Sequence, residues 1–244
     1  MSKPFLVLGF VLFCIQSSAL TSDAINMVSV LEKSTQEPEY PSKKVEKYNR
    51  SKHFGGWVRQ GEEIPCQNTR ALVLIRQAES PDHIKYNDTE CAVVSGKWFE
   101  PYAGNLVKKA TELQIDHVVP LKHAYYSGAW AWEPARRCHY ANFIKNDLHL
   151  LAVLAHENES KSDNGPDEYL PPETSFQCEY VSHWMKIKLI WELTVSQSEI
   201  DAIKTVVKKQ SCKPADLQVS QQWLKEQKAQ SLEPIEPCAD FGAN

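Results

Sequence analysis

The sequence lacks several features that would define its class at once. After residue 20, no apolar stretch approaches the roughly 20 residues that cross a bilayer. No two cysteines have the close spacing of structural zinc sites, and no two histidines have the His-x-x-x-His spacing of zinc peptidases. Positive charge does not dominate, since 27 lysines and arginines face 31 acidic residues, for a formal net charge of −4. These absences argue against a multi-span membrane protein, a zinc-finger protein and a protein that coats nucleic acid by bulk charge.

The composition is that of a folded globular chain. Of its 244 residues, 42% are hydrophobic and 24% are charged, which is too apolar for a disordered chain. A chain of this length forms one or two domains and buries a full core without help from a metal or a second subunit. A bound metal is therefore expected to serve chemistry rather than folding.

The N-terminus has the layout of a secretory signal peptide. Lys3 precedes an apolar run from Phe5 to Ile15, and small residues follow up to a cleavage point after Ala19. The sequence therefore predicts a signal peptide over residues 1–19 and a secreted or periplasmic mature protein, with no membrane contact after cleavage. An uncleaved anchor is the alternative.

The mature chain contains an even number of cysteines. Seven cysteines less Cys14 of the signal peptide leave six. These six are Cys66, Cys91, Cys138, Cys178, Cys212 and Cys238. In an exported protein an even set favours disulfides, here up to three, and the sequence leaves their pairing open.

Changes in amino-acid composition and in hydrophobic periodicity divide the mature chain into four segments. Residues 20–45 start with a short helix over Ala24–Leu31 and continue into a stretch of Glu, Pro, Ser and Lys with little to bury. The predicted segments are a linker or pro-segment (20–45), a compact domain (46–175), a helical continuation of that domain (176–213) and a helix with an irregular tail (214–244).

Local patterns predict individual elements within these segments. Short apolar runs predict strands at Ala71–Ile75, Ala92–Val94 and Leu148–Val153, with a turn at Ser95-Gly96 and a helix that opens near Ala155.

The C-terminal third has helical periodicity. Val181, Trp184 and Met185 recur at helical spacing. Ser196-Gln197-Ser198-Glu199 has the signature of a capping box, and a further helix is expected over Asp216–Gln230.

Five of the eight histidines fall within forty residues, at positions 117, 123, 139, 149 and 156. The sharpest feature beside them is Asp116-His117, which stands in an apolar, strand-like run that Pro120 must end. Side chains alternate along a strand, so two adjacent polar residues imply either a buried pair or a site at the strand end. We expect Asp116 to hold a cation and His117 to face the water molecule that attacks the substrate. The alternative is a structural Asp–His pair at the strand end, with its hydrogen bonds made within the protein.

A second chemical pattern lies on the predicted helix after Ala155. Asn158 and Lys161 are three residues apart and share a face. An Asn carbonyl suits Mg²⁺ or Mn²⁺, and a Lys can hold a phosphate. The alternative is a solvated first turn with a Glu157–Lys161 pair.

The order of these elements resembles a known nuclease motif. A strand ending in Asp-His, a loop, a second strand and a helix carrying Asn three residues before Lys is the layout of the ββα-metal (HNH, or His-Me finger) motif. The chain resembles secreted HNH endonuclease-family proteins that share the C-terminal nuclease domain of the GmrSD restriction enzymes. The matching segments lie between about Tyr48 and Cys212: Cys66-Gln67-Asn68-Thr69-Arg70, Ser95-Gly96-Lys97-Trp98, Pro101-Tyr102-Ala103-Gly104, Asp116-His117-Val118-Val119-Pro120-Leu121, Ser127-Gly128-Ala129-Trp130, Arg136-Arg137, Leu150-Leu151-Ala152-Val153, Asn158-Glu159-Ser160-Lys161-Ser162-Asp163, Pro166 and Leu170-Pro171-Pro172.

The resemblance implies a fold and a set of roles. It implies an α+β protein, with a disulfide-supported ββα-metal nuclease core in the compact domain and a helical C-terminal extension. His117 matches the general base, Asp116 a metal ligand and Asn158 the residue that completes the metal site. His149 departs from the motif, because many relatives have an asparagine there, and a supporting role is expected for it. Ser162 replaces a glycine found in many relatives.

The predicted function follows from these roles. We expect a secreted endonuclease that hydrolyses phosphodiester bonds of DNA, or alternatively RNA, with one divalent cation, Mg²⁺ or Mn²⁺. Arg136, Arg137 and Lys161 are the candidate contacts to substrate phosphate, although an exposed Arg pair is as often a solvated patch. Nucleic acid is the expected partner, and nothing indicates a protein partner. The alternative function is a secreted, non-catalytic binding protein that keeps the nuclease scaffold.

Overall fold

The computed structural model describes residues 23–242, so the predicted signal peptide lies outside the described residues. The described strands are β1 (Ala24–Asn26), β2 (Lys85–Tyr86), β3 (Val93–Glu100), β4 (Asn105–Lys109), β5 (Leu113–His117), β6 (Leu150–Leu154) and β7 (Gln218–Ser220). The described α-helices are α1 (Met27–Glu32), α2 (Arg50–His53), α3 (Thr69–Gln77), α4 (Leu121–Tyr126), α5 (Pro134–Ala141), α6 (Ala155–Lys161), α7 (Gln177–Trp191), α8 (Gln197–Lys209) and α9 (Gln221–Leu232). The prediction of a mixed helix-and-sheet protein is confirmed.

The strands form three small sheets within this part of the chain. Strand β1 pairs with β7, β3 lies between β2 and β4, and β5 pairs with β6. All these pairings are antiparallel. The β1–β7 pair brings the start of the described chain onto its C-terminal region. Met27 and Leu31 of α1 are buried in the main core, so the first part of the predicted linker is packed against the folded domain.

Two hydrophobic clusters lie on opposite faces of the β5–β6 pair. The larger one is built around α7 and contains Trp184 and Trp191. The smaller one contains Leu74 of α3 together with Ile115 of β5 and Leu150 of β6. Because β5 and β6 are buried on both sides, they hold the residues at their ends in fixed positions.

The predicted strand at Ala71–Ile75 is wrong, because these residues lie in α3. The Asn68 side chain accepts a hydrogen bond from Ala71 N and caps the helix. Val73 and Leu74 are buried. A short apolar run fits a strand as well as one face of a helix, and here the cap decides the outcome.

The predicted strand at Ala92–Val94 continues further than expected. Strand β3 runs to Glu100, and the residues predicted to form a turn, Ser95-Gly96, lie inside it. The pairing of β3 with β4 shifts register between Ser95 and Trp98, which is a bulge.

The C-terminal helices follow their local signals. The helix predicted around Trp184 is α7, and α8 begins with the predicted capping box between Ser196 and Glu199. The last helix, α9, starts at Gln221, later than predicted, because a 3₁₀ turn over Pro214–Leu217 and strand β7 come first.

Three disulfides join the six cysteines, as predicted in number. The pairs are Cys66–Cys91, Cys138–Cys238 and Cys178–Cys212. The second pair attaches the C-terminal tail to α5. Among the residues that the structure describes, no helix is both long enough and apolar enough to span a membrane.

Candidate active site

The β5–β6 pair and α6 form one continuous unit that positions the candidate site. Strand β5 pairs with β6 in unbroken register from Leu113↔Leu154 to His117↔Leu150, and α6 begins at the residue after β6. The pairing extends by one further bond, from Val118 N to the carbonyl of His149. Side chains alternate along β5, so Asp116 faces α6 while His117 faces the opposite side, with Ile115.

A pocket of about 300 Å³ opens at the end of β5, and we call it the His117 pocket. Its lining includes three of the predicted site residues, Asp116, His117 and Asn158, together with Tyr48, Arg50 and Lys122. The structure therefore brings the predicted base and both predicted metal ligands to the same opening.

His117 is buried, with 6% of its surface exposed, and it is held in one orientation. Its Nε2 lies 2.9 Å from the carbonyl oxygen of Ala141. A carbonyl only accepts, so Nε2 carries the proton and donates, and Nδ1 keeps its lone pair. Nδ1 has no hydrogen-bond partner among residues 23–242. Burial lowers the pKa of His117 well below its ordinary value, so the ring is neutral near pH 7.

Aromatic rings hold the plane of the His117 imidazole. The ring of Trp57 stacks on it with centroids 5.3 Å apart and planes within 8°. Tyr140 is also parallel to it, at 6.4 Å. The guanidinium of Arg50 lies over the Trp57 ring at 5.6 Å, which places a cation beside the imidazole.

Asp116 is buried, with 3% of its surface exposed, and both of its oxygens accept hydrogen bonds. Lys161 Nζ donates to Oδ1 at 2.8 Å, and the hydroxyl of Tyr102 donates to Oδ2 at 2.5 Å. Burial raises the pKa of the Asp116 carboxyl, while the Lys161 ammonium acts in the opposite direction. The charge of Asp116 is thus balanced inside the protein by Lys161.

Asn158 lies on α6 one turn before Lys161 and is half-buried. Its Nδ2 donates to Oε1 of Gln114 at 2.7 Å, which fixes the amide. Its side-chain oxygen, Oδ1, makes no hydrogen bond within residues 23–242. Asn158 therefore presents a neutral oxygen in the wall of the His117 pocket.

The lining of this pocket includes two side chains with oxygen donors of the kind that Mg²⁺ prefers. Asp116 and Asn158 supply a carboxylate and an amide oxygen, and Mg²⁺ at phosphate-transfer sites takes one or two such ligands, with water and phosphate completing its shell. Within residues 23–242, no cluster of three or more His, Cys, Asp or Glu side chains is arranged to hold a metal. A carboxylate and an amide are donors that Mg²⁺ or Mn²⁺ accepts, but both Asp116 oxygens already accept hydrogen bonds, from Lys161 and Tyr102, so a cation would have to share or displace one of these contacts.

His149, for which a supporting role is predicted, does not line the His117 pocket. It is fully buried, its Nε2 donates to the carbonyl of Tyr140 at 2.7 Å, and its ring is 6.3 Å from that of His117. Both histidines bond to consecutive carbonyls at the end of α5, those of Tyr140 and Ala141.

The three predicted phosphate contacts do not lie in the His117 pocket. Lys161 is fully buried and binds Asp116 and the carbonyl of His117, so its placement does not fit a contact with substrate. Arg136 lies over the Trp132 ring at 4.4 Å. Arg137 is buried among backbone carbonyls and lines a different cavity.

Sequence reasoning missed four residues that shape the site. They are Arg50 and Lys122, which line the pocket, Trp57, which stacks on His117, and Tyr102, which binds Asp116. Tyr102 belongs to one of the segments that carried the resemblance, and Lys122 lies five residues after His117. No spacing rule connects Arg50 or Trp57 to a histidine some sixty residues later.

Comparison with known proteins identifies the family. Residues 69–206, more than half of the chain, match the family model for GmrSD restriction endonucleases, C-terminal domain. The chain belongs to this family. A member's nuclease-type function is therefore the expectation, and the matched range includes His117, Asp116 and Asn158 but ends before α9.

One relative extends the comparison beyond the matched range. This chain is 35% identical over 179 residues to an uncharacterized secreted protein of Arthroderma benhamiae, an alignment that covers 73% of this chain and 82% of that protein. The secreted relative and the three disulfides agree with the predicted exported location. No solved structure matches this GmrSD C-terminal domain protein.

Proposed function

We propose that this protein is an exported, metal-dependent endonuclease that hydrolyses phosphodiester bonds of DNA, with His117 as the general base. The observation that carries the proposal is the hydrogen bond from His117 Nε2 to the Ala141 carbonyl. This bond fixes the tautomer whose Nδ1 can take a proton, in a pocket that also presents Asp116 and Asn158. Membership of a restriction endonuclease family supports the same reaction class.

The proposed reaction is a direct attack of water on phosphorus, with His117 as the proton acceptor. Nδ1 of His117 removes a proton from water as the water oxygen attacks phosphorus; the new P–O bond forms while the P–O bond to the leaving oxygen breaks. The leaving oxygen takes its proton from solvent. Positioned proton transfer of this kind contributes about 10²–10⁴ in rate. The imidazole is neutral before the reaction because burial lowers the pKa of His117.

Asp116 and Asn158 would hold the divalent cation, which stabilises the charge that develops on the phosphate. Lys161 has an indirect role in this scheme, because it neutralises Asp116 and ties it to α6. We therefore expect weak cation affinity in the free protein and tighter binding once a substrate phosphate adds ligands. Arg50 and Lys122 supply positive charge on the pocket wall for that phosphate.

Plasmid cleavage tests the proposal. Supercoiled plasmid incubated with the protein and Mn²⁺ or Mg²⁺ should be nicked, and EDTA should stop the reaction. His117→Ala should abolish nicking with its circular dichroism spectrum unchanged. His156→Ala is the matched control, because His156 is an exposed histidine of α6 outside the His117 pocket, and it should cut like the wild type.

The role of Asn158 needs a readout that does not depend on turnover. Electron paramagnetic resonance of Mn²⁺ should show weaker binding by Asn158→Ala than by the wild type, in the presence of a non-hydrolysable oligonucleotide. Asn164→Ala is the control, because Asn164 is three residues past α6 and outside the pocket. If the folded wild type cuts neither DNA nor RNA with any of several divalent ions, the alternative of a binding protein with a nuclease scaffold is favoured.

A further inference from the structure

A second cavity, of about 430 Å³, is lined in part by the segment 44–53, which also contributes Tyr48 and Arg50 to the His117 pocket. We call it the Arg137 cavity. Its wall carries three cations, Lys44, Lys52 and Arg137, and one carboxylate, Glu46. None of these four residues lines the His117 pocket, and the proposed chemistry uses none of them.

The two openings share one stretch of chain. Tyr48 and Arg50 line the His117 pocket, whereas Lys52, two residues further along α2, lines the Arg137 cavity. The ring of Tyr48 lies 5.7 Å from that of Tyr125, which belongs to the Arg137 cavity. Neighbouring residues of one short segment therefore line both openings.

Two cations of the Arg137 cavity, Lys44 and Arg137, make contacts within the protein before any ligand binds. Lys44 Nζ lies 4.6 Å above the Trp130 ring. Arg137 is more than nine-tenths buried; its Nε donates to the carbonyl of His53 at 3.0 Å, and its Nη1 donates to the carbonyl of Trp132. Its Nη2 makes no hydrogen bond among the residues that the structure describes. A guanidinium fixed in this way presents a free donor without further ordering.

Glu46 is the one opposing charge on this wall. Both of its oxygens accept from Lys52 Nζ, at 2.6 and 2.8 Å. Both side chains are more than half exposed, so this ion pair contributes little to stability and can exchange for another anion. The residues that line the cavity thus carry three positive charges against one negative charge, and Lys44 also pairs with Glu39, outside the lining, at 3.4 Å.

We propose that the Arg137 cavity binds a backbone phosphate of the nucleic-acid substrate, beyond the nucleotides that occupy the His117 pocket. The proposal rests on the proposed function. It adds to the cleavage site a second position at which the protein contacts the substrate strand. Lys44, Lys52 and Arg137 supply the charge, and Glu46 competes with the phosphate for Lys52. Binding should accordingly depend on substrate length and on salt.

Fluorescence anisotropy tests this path in the His117→Ala background, where no cutting is expected. The probes are a fluorescein-labelled 16-nucleotide oligodeoxynucleotide and a labelled trinucleotide, with Mn²⁺ present. Lys44→Gln/Lys52→Gln should weaken binding of the long probe by about tenfold and reduce the slope of log Kd against log salt by about 0.7, the value for loss of one phosphate contact to a single strand. The same variant should bind the trinucleotide like its parent.

The chain offers a matched control for charge. Lys43→Gln/Lys47→Gln removes two exposed lysines of the same segment that line neither opening, and it should change Kd by less than about twofold. Glu46→Gln should tighten binding of the long probe. Circular dichroism checks that all variants fold.

Each outcome decides one proposal. Equal weakening by both lysine pairs, unchanged binding by Lys44→Gln/Lys52→Gln, or no binding of the long probe would overturn the path through the Arg137 cavity. Plasmid cleavage by the wild type is scored separately. A protein that binds the long probe through Lys44 and Lys52 but never cuts would refute the endonuclease and leave the binding path standing.

Discussion

Lys161 and Asp116 form an ion pair in the interior, with Nζ and Oδ1 2.8 Å apart and at most 4% of either side chain exposed. The pair joins the last residue of α6 to the end of β5 and therefore fixes the two elements that carry Asn158 and His117. A buried ion pair adds little stability compared with an apolar pair of the same shape. The ion pair instead specifies how α6 packs against β5, because neither charge can be buried without the other.

Removal of one partner should therefore be costly. Lys161→Met leaves the Asp116 carboxylate buried and without its counter-ion, and we expect a loss of about 3–5 kcal/mol in the free energy of unfolding, measured by urea denaturation. Lys204→Met removes an ion pair to Glu32 in which both side chains are partly exposed, and it should cost less than about 1 kcal/mol. Equal losses in the two variants would contradict the account.

Tyr102 and Tyr180 are both buried tyrosines, but only the hydroxyl of Tyr102 has a partner within the described chain. Tyr102→Phe removes the donor to Asp116 Oδ2 and should lower the free energy of unfolding by about 1–3 kcal/mol. Tyr180→Phe removes a hydroxyl with no partner among residues 23–242 and should be neutral or stabilising. Thermal and urea denaturation of the two variants provide the comparison, and a Tyr102→Phe protein as stable as Tyr180→Phe would argue against the contact.

We expect Trp57 to act as a positioning residue for His117, because its ring stacks on the imidazole. Trp57→Ala should lower kcat by about tenfold or more with a smaller change in KM, because misplaced catalytic groups lose rate before they lose binding. Trp57→Phe keeps an aromatic face and should recover most of the rate. Trp223→Ala, in α9, should leave kcat unchanged. A KM effect alone in Trp57→Ala would assign the residue to substrate binding.

Buried neutral histidines should make stability fall in mild acid. Burial lowers the pKa of His139 to about 4 and that of His149 to about 3, whereas in the unfolded chain both titrate near 6.5. Between pH 6.5 and 4 the unfolded state binds more protons. The free energy of unfolding should therefore decrease as pH falls through this window, by up to about 1.4 kcal/mol per pH unit for each histidine.

Urea titrations at pH 7, 6 and 5 measure this dependence. His139→Asn should remove one histidine's share of the slope. His83→Asn changes an exposed histidine and should leave the slope as it is. A wild-type stability that stays constant from pH 7 to pH 5 would show that these rings accept protons in the folded state.

Sequence alone determined the features that depend on neighbouring residues. The capping box at Ser196 predicts the start of α8, because both of its hydrogen bonds close within one turn. Helical periodicity predicts that Asn158 and Lys161 face the same way, and both do contact β5, at Gln114 and Asp116. The alternation of side chains likewise predicts that Asp116 and His117 cannot share a face.

Only the tertiary structure decided what those side chains meet. Lys161 was expected to contact substrate phosphate, yet it binds Asp116, 45 positions earlier, because α6 packs against β5. The stacking of Trp57 on His117 and the pairing of Cys138 with Cys238 join residues 60 and 100 positions apart. Local propensity carries no information about such contacts, since they form only where the packing of the whole core offsets the entropy lost in closing long loops. The sequence therefore predicted the chemical groups and their local geometry, and the packed core decided which of them face the pocket.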